Sequence, residues 1–203
     1  NFKEVDAHMG TLDDYRSLSA NLHANNMYLI QDIVPNHTGN FFWYDSTKRP
    51  SNPLENYVTN TETTNKPTQY PFNLNNPNNP KALQANAYHW TPCITNFNSL
   101  IQTQTYQLSN LDDINTENPM VRDVLRDSYD YWIKEVGVDG FRIDTIKYVD
   151  HDFWNDFHWS EDATAPGIMH AAKETGRDNF VTFGEAWIGI KPYDDIGDKE
   201  IAS

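Results

Sequence analysis

Residues 140–149 read GFRIDTIKYV, an apolar run that carries two opposite charges, Arg142 and Asp144, two positions apart. In a strand, side chains at i and i+2 share a face, so guanidinium and carboxylate stand together while Phe141 and Ile143 pack on the other side. Such a pair is either a structural ion pair or a carboxylate kept ionised and aimed for chemistry. Two more segments end an apolar run with ionisable groups. MYLIQDIV, residues 27–34, is closed by Pro35 and delivers Asp32, Asn36 and His37 at its C-terminal end, and FVTFGEAW, residues 180–187, delivers Glu185. Two carboxylates on neighbouring strand ends suit glycoside cleavage: one attacks the anomeric carbon while the other, kept protonated, donates to the leaving oxygen. Asp, Glu and His at strand ends also bind cations, and the pattern alone leaves both chemistries open.

The elements that must position these groups can be read from spacing. A helix is expected from about Thr11 to Asn25, with Thr11 as its cap, two aspartates in the first turn, and Leu12, Tyr15, Leu18 and Leu22 on one stripe. The run 27–34 reads as a buried strand. From Thr38 to about Gln107 the chain is rich in Asn, Thr and Pro, as in NLNNPNNP at 73–80, and has no sustained period. So long an excursion is expected to be functional or a small domain of its own, packed by Phe41, Phe42, Trp43, Tyr44, Tyr88 and Trp90. Asn118-Pro119 then opens a helix whose Val121, Val124, Leu125, Tyr129, Trp132 and Val136 recur at helical spacing up to Gly137. The strand holding Asp144 follows, then a helical region broken near Pro166, then the strand ending in Glu185. Strands alternating with helices predict a parallel sheet, with His37, Asp144 and Glu185 all at the C-terminal strand ends where chemistry collects.

Bulk properties narrow the partners. The 203 residues suffice for a core of one domain or slightly more, and 38% hydrophobic with 22% charged residues is ordinary for a globular chain. A formal net charge of -14 argues against nucleic acid or an anionic membrane as partner and favours a neutral or cationic ligand. No apolar run reaches the length of a membrane span, and NFKEVDAHMG lacks the basic and apolar regions of a signal peptide. The single cysteine, Cys93, excludes a disulfide within the chain.

Four segments together resemble one family. DIVPNH at 32–37, LDDIN at 111–115, GFRIDTIKYV at 140–149 and FGEAW at 183–187 are similar, in order and spacing, to signature segments of the alpha-amylase family, and the likeness runs from FKEVDAHMGT to Trp187. The resemblance implies an α/β fold, part of a (β/α)8 TIM barrel covering about strands 3 to 5, with a long inserted domain after strand 3. The division it implies is 1–37 partial barrel, 38–107 inserted loop-rich domain and 108–203 partial barrel. By position, Asp144 matches the family's nucleophile, Glu185 its general acid/base, and Arg142 the arginine that orients the nucleophile. His37 matches a histidine that bonds the sugar where cleavage occurs, and Lys147 and Tyr148 fall where the family contacts the leaving-group side, although many members carry histidine where Tyr148 stands.

The family's common structural calcium would take Asn36, Asp113 and the backbone carbonyl of Tyr148. The implied activity is retaining hydrolysis of alpha-1,4-glucosidic bonds in an alpha-glucan or maltooligosaccharide. A transglycosylase using the same pair, or a non-catalytic carbohydrate-binding relative, is the alternative. The family also needs a third carboxylate after strand 7, which these 203 residues do not reach. The expectation is therefore a fragment that is inactive alone and that self-associates through unpaired strand edges.

Overall fold

The computed structural model describes residues 1–45, 47, 56–63 and 66–186. Among the described residues the α-helices and strands follow in the order α1 (Leu12–Ala24), β1 (Ile30–Ile33), β2 (Phe42–Tyr44), β3 (Tyr57–Thr59), α2 (Pro80–Ala85), α3 (Leu100–Thr105), α4 (Pro119–Glu135), β4 (Gly140–Ile143), α5 (His151–Trp159), α6 (Ile168–Glu174) and β5 (Val181–Gly184). The chain divides into two compact units, one of residues 1–33, 122–146 and 151 onward, the other of 34–121 and 147–150.

The first unit is built on a parallel sheet of order β1-β4-β5. Arg142 is in register with Asp32 on one side and Phe183 on the other. One face is covered by the apolar stripe of α4, whose Leu125, Tyr129, Trp132 and Ile133 are buried together with Phe141, Phe153, Phe157 and Ile168. This ordered apolar layer holds the strands at fixed spacing. Helix α4 ends where Gly137 adopts φ +81°, a left-handed conformation that costs glycine nothing, and a Cβ there would lie 2.4 Å from Arg177 Nη2.

Helix α1 begins as its sequence requires. The Thr11 hydroxyl accepts from the Asp14 amide at 3.2 Å while the Asp14 carboxylate accepts from the Thr11 amide at 2.9 Å, a reciprocal capping box. Its expected apolar stripe is less buried than the spacing predicts: Leu18 is 48% exposed and Ser19 is the buried residue of the helix. The reason is local. Tyr15 and Leu18 border a cavity of about 550 Å³ shared with Trp132, Gln31 and Asp32, so Leu18 faces open space while Tyr15 leans on the Trp132 ring.

Arg126 joins the helices behind the sheet. Nearly buried, its Nε donates to the Ala165 carbonyl at 2.7 Å, and its other nitrogens pair with Asp123 at 2.6 Å and with Asp156. One side chain thus ties α4 to α5 and to the segment before α6.

The second unit contains the Asn/Thr/Pro-rich stretch, which holds short elements that no long period announces. β2 and β3 form an antiparallel pair, and α2 and α3 are six residues each. Edge-to-face contacts among Phe42, Tyr57 and Tyr88 make its core, with Trp90 tilted against Phe42 at 4.7 Å between ring centroids. Buried Asp112 ties the chain next to this core, its carboxylate accepting from the Phe41 amide at 2.9 Å.

Candidate active site

In the first unit the strand ends gather four charged side chains. β1 contributes Asp32, β4 contributes Arg142 with Asp144 just beyond it, and Glu185 follows β5 directly. The ladder continues past the strands: the Asp144 amide donates to the Ile33 carbonyl at 2.9 Å and the Glu185 amide to the Ile143 carbonyl at 2.7 Å. Both carboxylates therefore leave from backbone that is held on its neighbour strand.

Arg142 is the hub. Its Nη1 lies 3.0 Å from Asp144 Oδ1 and 2.9 and 3.1 Å from the two Asp32 oxygens, and its Nη2 lies 3.0 Å from Glu185 Oε2. The guanidinium pKa is raised above its ordinary value, first by the hydrogen bond to Asp32 and then by charge attraction and the Asp144 and Glu185 contacts. A planar fork that cannot lose its proton is suited to holding several carboxylates at once. Asp144 is the more sheltered of the pair, its side chain 23% exposed against 44% for Glu185. The structure thus brings together Asp144, Glu185 and Arg142, three residues picked out from sequence.

It adds a fourth, Asp32, which the sequence places at a strand end but to which spacing assigns no role. Its signal is the register that sets it opposite Arg142, which is visible only once the strands are paired. Trp187, the last residue of the FGEAW segment, lies outside the described residues.

The other predicted residues belong to the second unit. Asn36 and Asp113 are almost fully buried on adjoining backbone, with the Ile114 amide donating to the Asn36 carbonyl at 2.9 Å and His37 bridged to Asp113. The Asn36 side-chain nitrogen is 3.1 Å from His37 Nδ1. Asp113 meets a partner that sequence reading passes over: His89 Nδ1 lies 2.7 Å from Asp113 Oδ2, and His89 Nε2 lies 2.8 Å from Glu117 Oε2. Burial works against the charge of His89, but the bonds to Asp113 and Glu117 outweigh it and hold the imidazole pKa up to about 9. Burial pushes the Asp113 carboxyl up to about 7, with the His89 contact pulling the other way. Nothing in the Asn-rich stretch marks His89 beforehand, because its partners lie 24 and 28 residues away on a different segment. Lys147 and Tyr148 sit in a 3-10 turn at Ile146–Tyr148, the Lys147 ammonium 5.1 Å from the Tyr148 ring centroid. Tyr148 is buried, and burial raises its phenol pKa.

As a site for calcium, the donor set is partly suitable. Asn36 and Asp113 offer buried oxygens of the hard type that calcium prefers, on adjoining backbone. Asp113 already has a cationic partner in His89, and among the described residues no group of three or more His, Cys, Asp or Glu could hold a metal. Any ion there would depend on amide and backbone carbonyl oxygens as much as on carboxylates.

Comparison with known proteins supplies the family. The model of the alpha amylase catalytic domain matches residues 1–200. A cyclomaltodextrin glucanotransferase of Klebsiella oxytoca is 32% identical over 187 residues, 91% of this chain and 24% of its own length. An amino acid transporter heavy chain of Mus musculus is 30% identical over 155 residues, 73% of this chain and 20% of its own. Among solved structures, the alpha-amylase of Geobacillus thermoleovorans complexed with acarbose superposes with a TM-score of 0.62 at 26% identity, covering 92% of this chain and 32% of that one. The chain thus spans about a fifth to a third of the length of these relatives. With the family model covering nearly its entire length and its strand ends assembling the charged cluster, the chain belongs to the alpha-amylase catalytic domain family.

Proposed function

We propose that the chain is the central part, about strands 3 to 5, of a (β/α)8 barrel that cleaves alpha-1,4-glucosidic bonds with retention of configuration. The residues 38–107 would form a domain inserted after strand 3. The observation that carries the reading is the pair Asp144 and Glu185 on two nitrogens of one guanidinium, at adjacent parallel strand ends.

In this mechanism the Asp144 carboxylate, held by Arg142 Nη1 at 3.0 Å, attacks the anomeric carbon and forms the glycosyl ester as the glycosidic bond breaks. Glu185 gives its proton to the departing oxygen. It then takes a proton from water, whose oxygen displaces Asp144 and releases the sugar with its configuration retained. His37 would bond the sugar at the point of cleavage, with Lys147 and Tyr148 on the leaving-group side.

The test is Asp144→Asn in the complete enzyme that contains this chain. Turnover of a maltooligosaccharide should fall by a factor of about 10⁴ or more, with the unfolding transition unchanged, since the amide keeps the shape and cannot attack. Retained activity would remove the assignment. Transfer to a sugar hydroxyl uses the same two carboxylates, and the likeness to a glucanotransferase favours keeping this second reading. Product analysis separates them.

A third reading, a non-catalytic family member, draws on the transporter heavy chain among the relatives. Against it stands the presence of Asp144, Glu185 and Arg142 together in this chain.

Calcium belongs to the same proposal as a structural ion held by Asn36, Asp113 and the Tyr148 carbonyl. It would offset the cost of keeping the Asp113 carboxylate charged out of water. Chelation should then lower the unfolding midpoint and added calcium restore it. A midpoint unmoved by either would dismiss the ion.

A further inference from the structure

The turn after Asp144 has three features that packing alone leaves unexplained. Thr145 adopts φ +54°, a left-handed conformation costly for a β-branched residue, and among the described residues its buried hydroxyl has no hydrogen-bond partner. The turn brings Ile146 back over β5, where the Ile146 amide donates to the Glu185 carbonyl at 3.3 Å. Because the Glu185 amide also donates to the Ile143 carbonyl at 2.7 Å, backbone on both sides of Asp144 is bonded to the one residue Glu185.

The close approach depends on Gly184. A Cβ at that position would stand 2.2 Å from Ile146 Cγ2 and 2.4 Å from its Cδ1, so the isoleucine fills the space where a side chain would be. The Ile146 backbone is held as well, since the Trp154 indole donates to its carbonyl at 3.1 Å, so room for a side chain at position 184 has to come from turning the Ile146 side chain. Glycine within a strand marks such an approach of another piece of chain, and here it immediately precedes Glu185.

We propose that Gly184 and Ile146, with the left-handed turn at Thr145, form a spacer that sets the separation of Asp144 and Glu185. They are positioning residues, and the inference rests on the reading of Asp144 and Glu185 as the reacting pair. A retaining pair needs its carboxyl groups about 5–5.5 Å apart, and a misplacement of about 1 Å can cost roughly a hundredfold in rate. Substrate binding by other groups does not depend on this gap. A disturbed spacer therefore lowers kcat and leaves KM alone.

The experiment compares Asp144→Asn, Gly184→Ala and the double variant Gly184→Ala/Ile146→Ala in the complete enzyme, assayed on a 4-nitrophenyl maltooligosaccharide. Gly184→Ala should lose about a hundredfold in kcat with KM within about threefold of the parent, and removing the Ile146 side chain in the same chain should recover about tenfold or more. An active Asp144→Asn would overturn the catalytic reading itself. With Asp144→Asn inactive, a Gly184→Ala enzyme of parental kcat, or a double variant without recovery, overturns the spacer alone. Should Gly184→Ala not fold, Thr145→Gly answers the same question. It relieves the strained turn and loosens it, so kcat should fall about tenfold while the unfolding midpoint holds or rises, and an unchanged kcat would overturn the proposal.

Discussion

Arg142 serves three carboxylates, and this bears on how Glu185 would act. An acid must turn an oxygen toward the leaving group, whereas Glu185 Oε2 is taken up by Arg142 Nη2 at 3.0 Å. In the proposed mechanism the glucan therefore has to displace the Arg142–Glu185 contact, while the contact with Asp144 persists. Asp130, on α4, is a carboxyl with a weaker cationic helper. It is buried, its Oδ1 lacks a hydrogen-bond partner among the described residues, and Lys134 is 3.9 Å from Oδ2. Burial raises its pKa to about 6 from 3.8, with Lys134 pulling it down and Asp127 and Glu174 pushing it up. A raised folded-state pKa means that the group's contribution is fully present below about pH 4 and is lost as pH rises through about 6. Asp130→Asn should therefore stabilise the fold by on the order of 2 kcal/mol at pH 8, and by less at pH 5. Urea unfolding at the two pH values checks this; an equal gain at both would mean that ionisation is not the cause.

At the scale of elements, the parts with a strong period were the legible ones. The alternation of Arg142 with Phe141 and Ile143, the helical stripe of α4 and the Thr11 cap of α1 each express a local rule, so their positions follow from spacing. The short elements between 38 and 107 are not legible, because six-residue helices and three-residue strands are too short to show a sustained period. Partners far apart in the chain were hidden in the same way: Asp32 for Arg142, His89 for Asp113, and Arg126 for the Ala165 carbonyl.

Arg126 is the element-scale test. Replacing it with Met keeps most of the stem's packing but leaves the Ala165 carbonyl and Asp156 without their donor. The expected loss is about 2–4 kcal/mol, a fall of roughly 5–15 °C in Tm for a domain of this size. A change of less than about 1 kcal/mol would show that water replaces the arginine without cost.

For the whole molecule, the sheet edges decide behaviour. β1 and β5 are the two edges of the three-stranded sheet among the described residues, and each carries apolar side chains in the open: Ile30 is 39% exposed, Val181 46% and Phe183 53%. An edge strand offers unpaired amides and carbonyls to any other strand, and nature usually guards it with charge, proline or a bulge. Neither Ile30–Ile33 nor Val181–Gly184 contains proline or lysine, and Asp32 is the one charge on either. The apolar exposure adds a driving force at about 25 cal/mol per Å² covered. The expected outcome is association of the 203-residue chain without hydrolytic activity. Sedimentation velocity at tens of micromolar should show species well above 23.5 kDa. A single species at that mass would mean that the edges are covered from within the chain. Substantial turnover of maltooligosaccharide by the same preparation would mean that the strand ends described here already make a complete active site.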